Sequence, residues 1–150
     1  MSTRPPGAVL FMCTLNAFRS PMAEALMRRL HGDRIYIESC GIRPAEHIDP
    51  FVVEVLDEIG IDMRHHVPRA LDEITDPTSF DLIVSLSPEA HHHAVELTRT
   101  SALDVEYWPT MDPTAVMGSR EQRLLAYRLM RDDLFKRLKE RFGPHTPAGV

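Results

Sequence analysis

Cysteine is scarce in this chain, with two in 150 residues, and Cys13 and Cys40 fit neither a disulfide framework nor a thiolate metal site. That usage suits a reducing compartment. Long apolar runs are also missing, which leaves no candidate for a membrane span. The opening MSTRPPG lacks the apolar stretch of a signal peptide, so a cytoplasmic location is expected. An excess of positive charge is absent as well, and the net charge of −5 argues against a general nucleic-acid binder. Repeats and low-complexity tracts do not occur, apart from the triplet His91-His92-His93. Three consecutive rings cannot share one helix face, so a solvated helix surface is expected there rather than a metal site.

What remains is the composition of one soluble domain, long enough for a single core without staples. The domain is expected to span residues 1–150, with 1–7 and 143–150 as flexible tails. Its organising stretch is Val9 to Leu26. Ala8 to Met12 is a continuous apolar run, the pattern of a strand buried on both faces of a parallel sheet. Ser20-Pro21 offers an N-cap hydroxyl and a first-position proline, and good helix formers follow, which predicts a helix starting at Ser20.

Between strand and helix, five residues separate Cys13 from Arg19, a loop short enough to curl around one tetrahedral anion. Inward amides backed by a helix N-terminus cradle such an anion and favour a thiolate over a thiol. Arg19 supplies a planar fork for two phosphate oxygens. Ser20 is placed to give its hydroxyl to the Cys13 sulfur. These features mark Cys13 as a nucleophile facing a bound phosphate.

Further along, Ile35 to Ser39 reads as a second strand, Asp49-Pro50 opens a helix ended by Gly60, and Arg64 to Asp76 is a polar connection. Asp81 to Leu86 is a third buried strand, Ser87-Pro88 caps another helix, and Val105 to Trp108 is a fourth strand. Ser119 and Gln122 form a capping box for a long last helix. Strands alternating with helices imply an α/β fold, a parallel sheet covered on both faces. Ligands of such sheets sit beyond the carboxyl ends of the strands, where both the Cys13 loop and the loop holding Asp112 fall.

The run Cys13-x5-Arg19-Ser20-Pro21-Met22-Ala23-Glu24, with Asp112-Pro113 far downstream, resembles the low-molecular-weight protein tyrosine phosphatases and the arsenate reductases built on the same fold. The resemblance extends from Val9 to about Phe142. It implies a three-layer sandwich with a four-stranded sheet in the order 2-1-3-4. It also implies Cys13, Arg19 and Asp112 as the catalytic set, with Thr14, Leu15, Asn16, Ala17, Phe18 and Ser20 around the phosphate. Asp112 would protonate the leaving oxygen and then serve as base for hydrolysis of the cysteinyl phosphate; in isolation, an Asp-Pro merely starts a turn. Asn16 matches an asparagine that holds the loop from a left-handed backbone conformation. Ser39 and His66 match its partners behind the loop, with His65 the alternative to His66.

Three positions depart from the family pattern: Leu15 replaces a glycine, Phe18 a small residue, and Thr114 the first of two aromatic residues after Asp-Pro. Phosphate binding is expected to survive these changes better than phosphotyrosine specificity. Cys40 reads as a small packed residue, or as a thiol that traps oxidised Cys13 in a disulfide.

The expected activity is hydrolysis of phosphotyrosine proteins or small aryl phosphates, with no metal or other cofactor and with neither nucleic acid nor membrane as partner. Two alternatives stand: an arsenate reductase-like enzyme, for which the relay cysteines near the third strand are missing, and a catalytically weak phosphate-binding module. Basic residues on the last helix, Arg120 to Arg141, read as a solvated face or as a field steering acidic substrates. The oligomeric state is not legible.

Overall fold

The computed structural model describes residues 6–144. Four parallel strands, β1 (Ala8–Cys13), β2 (Tyr36–Gly41), β3 (Leu82–Ser85) and β4 (Asp104–Tyr107), lie in the order β2-β1-β3-β4. They alternate with α1 (Arg19–His31), α2 (Pro50–Asp57), α3 (Pro88–Leu97) and α4 (Arg120–Phe142). Side chains alternate across the sheet. Val9, Phe11, Cys13, Leu82 and Val84 pack with α1, α2 and α4, whereas Leu10, Met12, Cys40 and Ile83 pack with α3 on the other face. The sheet is thus the middle of three layers, and the apolar runs of β1 and β3 are buried on both sides. Among the described residues no helix is long and apolar enough to cross a membrane.

Local chemistry sets the helix boundaries. Asp49, Ser87 and Ser119 cap α2, α3 and α4 through their side chains, and Ser119 and Gln122 exchange both bonds of the box. The first helix departs from expectation. It begins at Arg19 after Phe18, with no side-chain cap, because Ser20 lies inside the first turn and its hydroxyl is turned to Cys13. The connection 64–76 is not simply polar loop either: Ala70 bridges to Gly41, and Leu71–Glu73 makes a 3-10 turn.

Several surface expectations also change. His91 does not lie on a solvated face, since its Nδ1 is 3.0 Å from Ser85 Oγ and its ring stacks on Tyr107. The basic stripe of α4 is largely committed within the molecule. Arg120 pairs with Glu54, Arg128 and Arg131 hold Glu58, and Arg141 pairs with Glu106. Of the expected tails, residues 1–5 and 145–150 lie outside the described residues. Gly7 is fixed by Asp81 Oδ2 at 2.7 Å, and the Gly143 carbonyl lies 2.9 Å from His31 Nε2.

Candidate active site

The site is built at the carboxyl end of β1, where the chain must turn from a buried strand into α1. Its loop is held from outside by main-chain bonds. Amides of Ile42, Arg43, Ala45 and Asp49 donate to the carbonyls of Cys13, Thr14, Leu15 and Ala17 at 2.8–3.2 Å. With those carbonyls facing outward, the loop amides turn inward, and the Asn16 amide donates to Cys13 Sγ at 3.2 Å. Close approach of β2 requires glycine at its end. A Cβ on Gly41 would stand 2.8–2.9 Å from Asn16 N, Leu15 C and Thr14 O.

Asn16 is the hub. It is fully buried and its φ is +52°, the only positive value among the described non-glycine residues. Asparagine tolerates this conformation, and here its side chain uses both donors and both lone pairs. Nδ2 donates to Ser20 Oγ at 2.8 Å and Ser39 Oγ at 2.9 Å, while Oδ1 accepts from His66 Nε2 at 3.1 Å and the Arg69 amide at 3.0 Å. Ser20 Oγ receives an Asn16 proton and lies 2.8 Å from Cys13 Sγ and 3.5 Å from the Cys40 carbonyl. Behind Ser39, the buried Glu24 accepts its hydroxyl and pairs with Arg28.

The sulfur thus has the Asn16 amide and the Ser20 hydroxyl within hydrogen-bond distance. His66, rather than the exposed His65, is the histidine of this network. Burial lowers its pKa below the ordinary imidazole value, so the ring is neutral and its Nε2 carries the proton that Asn16 Oδ1 accepts.

Arg19 stands at the opposite side of the loop, its guanidinium over the Phe18 ring. One terminal nitrogen donates to Thr110 O at 3.3 Å, and the buried Nε has no acceptor among the described residues. The Thr110 contact fastens the loop bearing Asp112 to the cradle. Asp112 itself is exposed and caps the short turn Pro113–Ala115. Both Thr114 donors, the amide and the hydroxyl, converge on its Oδ1. Of the expected site residues, Cys13, Asn16, Ser20, Ser39 and His66 are thus directly bonded to one another. Thr14 reaches α3 through Ser87 Oγ at 3.0 Å, Leu15 and Phe18 pack into the core cluster, and Asp112 meets the cradle only through its loop.

Cys40 does not belong to this set. It is paired across the sheet with Met12 and shares the α3 face with it, whereas Cys13 lies on the other face. This parity favours the small packed residue over the trapping disulfide as the reading of Cys40, because thiols on opposite faces cannot join without backbone movement. Burial, then the proximity of Cys13, pushes the Cys40 thiol well up. It stays protonated and inert.

Residue-type reasoning missed Glu24, Gly41 and Arg69. Glu24 had a usable signal, since it sits one helical turn after Ser20 and so shares its face. Arg69 acts on Asn16 through its main-chain amide, which no side-chain pattern announces.

Comparison with known proteins agrees with this geometry. The sequence model of the low molecular weight phosphotyrosine protein phosphatases matches residues 8–121. An arsenate reductase of Halalkalibacterium halodurans is 31% identical over 133 residues, covering 87% of this chain and 91% of the relative. Among solved structures, arsenate reductase from Archaeoglobus fulgidus superposes with a TM-score of 0.70 at 29% identity, covering 90% of this chain and 98% of the other. A YwlE mutant from Bacillus subtilis gives 0.72 at 26%, covering 89% and 95%. A YwlE arginine phosphatase mutant with a phosphorylated active-site serine also gives 0.72, at 25%, covering 89% and 92%. A loop built to surround one sulfur with donors, on a sheet of this order and with these relatives, has one reading: the chain belongs to the low molecular weight phosphotyrosine protein phosphatase family.

Proposed function

We propose that this protein hydrolyses phosphate monoesters, phosphotyrosine proteins or small aryl phosphates, through a phosphate covalently held on Cys13. The observation that carries the reading is the outward clamping of four loop carbonyls around a sulfur that accepts from Asn16 and faces Ser20.

In the first step the Cys13 sulfur attacks phosphorus, the P–O bond to the leaving group breaks, and Asp112 gives that oxygen its proton. Oδ1 of Asp112 is occupied by Thr114, which leaves Oδ2 as the oxygen that exchanges the proton. The loop amides and Arg19 hold the equatorial oxygens, for which the unpartnered Arg19 Nε is a ready donor. In the second step water attacks the cysteinyl phosphate, Asp112 takes back a proton, and Cys13 leaves as a thiolate stabilised by Ser20 and Asn16. The relative with a phosphorylated active-site serine supports a covalent intermediate at the nucleophile position.

Arsenate reduction is the competing reading, since several relatives carry that name. Against it stands the position of the second thiol: Cys40 is on the far face of the sheet, and Ser87 rather than cysteine touches the loop at Thr14. The separating experiment measures turnover of p-nitrophenyl phosphate, phosphotyrosine, phosphoarginine, and arsenate plus an external thiol. Wild type is compared with Cys13→Ser and Asp112→Ala. Loss of phosphatase turnover in Cys13→Ser and a fall of roughly 10² to 10⁴ in Asp112→Ala are expected. Arsenate turnover without phosphatase activity overturns the reading, and phosphate binding without turnover of any substrate reduces the protein to a phosphate-binding module.

A further inference from the structure

Three of the four outer clamps on the loop come directly from β2. Ile42, Arg43 and Ala45 follow its last residue, Gly41, and inherit the rigidity of the sheet. The fourth does not. Asp49 lies beyond an exposed bend at Glu46 and His47, yet its amide must meet Ala17 O at 2.9 Å, two residues before Arg19. A clamp so far from the strand needs an anchor of its own.

The anchor is visible. Asp49 Oδ1 accepts the Phe51 amide at 2.9 Å, which closes a turn and sets residue 49 at φ −66° and ψ 123°. Oδ2 accepts the hydroxyl of Tyr127 at 2.5 Å, from the middle of α4. Tyr127 is 1% exposed, its ring packs on Phe51 at 5.2 Å, and Arg123 covers the other ring at 4.8 Å. Burial and the Asp49 carboxylate push the phenol well above its ordinary value, so it remains a donor at every working pH. The same helix follows the loop that carries Asp112.

We infer that Asp49 and Tyr127 are positioning residues for the Arg19 side of the anion cradle: the tyrosine hydroxyl holds the carboxylate, the carboxylate sets the backbone of residue 49, and that amide keeps the Ala17 carbonyl turned away from the bound phosphate. Neither touches substrate. Released, the Ala17 carbonyl can swing inward, where its negative end opposes a phosphate oxygen, and Phe18 and Arg19 shift with it. This deepens the phosphate-binding reading and rests on it.

The test measures the inhibition constant of inorganic phosphate against p-nitrophenyl phosphate, together with kcat and melting temperature. It uses wild type, Tyr127→Phe, Asp49→Asn and the control Tyr107→Phe. Tyr127→Phe keeps the packed ring, and Asp49→Asn keeps a good N-cap, so folded variants are available. Expected is a phosphate inhibition constant raised about two- to tenfold in both, the loss of one ordinary hydrogen bond, with kcat within about twofold of wild type. Tyr107→Phe should leave both unchanged. A lowered melting temperature with an unaltered inhibition constant overturns the inference and leaves a merely structural bond. A wild-type protein that phosphate does not inhibit overturns the functional reading itself, and this inference with it.

Discussion

Replacing Asn16 separates two contributions that coincide in the native loop. Asn16→Ala removes the side-chain network and also places a Cβ-bearing residue without a polar group at φ +52°; Asn16→Gly removes the network but keeps the backbone at ease. In Asn16→Gly, Ser39 retains Glu24 and Ser20 retains Cys13, so those hydroxyls keep a partner. The His66 Nε2 proton and the Arg69 amide lose their acceptor. Two orphaned half-buried donors at about 1–3 kcal/mol each give a destabilisation on the order of 2–6 kcal/mol, lessened where water reaches them. Asn16→Ala should cost about 1–2 kcal/mol more, the penalty of a left-handed backbone. Urea unfolding of the three proteins measures both steps, and phosphate inhibition follows the loop geometry in parallel. Equal stabilities for the two variants would refute the backbone part of the reasoning. A glycine variant as stable as wild type would refute the network part.

Oxidation should distinguish the two cysteines. After mild peroxide, peptide mass spectrometry should find Cys13 as a sulfenic or higher acid, or as a mixed disulfide when a small thiol is added; a Cys13-Cys40 bridged peptide would contradict the two-faced placement. The lowered pKa of His66 means that the unfolded chain binds more protons than the folded one between the folded value and about 6.5. Stability should therefore fall as pH drops through that window. A His66→Gln variant, which can still donate to Asn16, should show a shallower dependence when unfolding is followed from pH 7.5 to 5. An unchanged slope would remove His66 as the cause.

Much of the fold is legible in the chain because it depends on short-range patterns. Continuous apolar runs give β1 and β3, and Ser87-Pro88 and Ser119-x2-Gln122 mark helix starts that the structure retains. Asn16 was legible only through the family resemblance, and its left-handed backbone is one that asparagine tolerates. The start of α1 was misread for an instructive reason: Ser20-Pro21 satisfies the pattern of a cap, yet Ser20 lies inside the first turn with its hydroxyl against the Cys13 sulfur. Sheet register lies outside local pattern. Without knowing that Met12, and not Cys13, stands beside Cys40, the two thiols look adjacent when they face different layers. The links of Asp49 and Arg69 to the loop run through main-chain amides, which carry no residue signature.

The clamps on the Cys13 loop join main chain to main chain, and this separates grip from taste. A change of side chain at Leu15, which packs against the core while its carbonyl is held by Ala45, leaves the main-chain bond that shapes the loop in place. Selection can then explore new substrates one side chain at a time while the reaction itself is conserved. A scaffold wired in this way can diversify without first losing its chemistry.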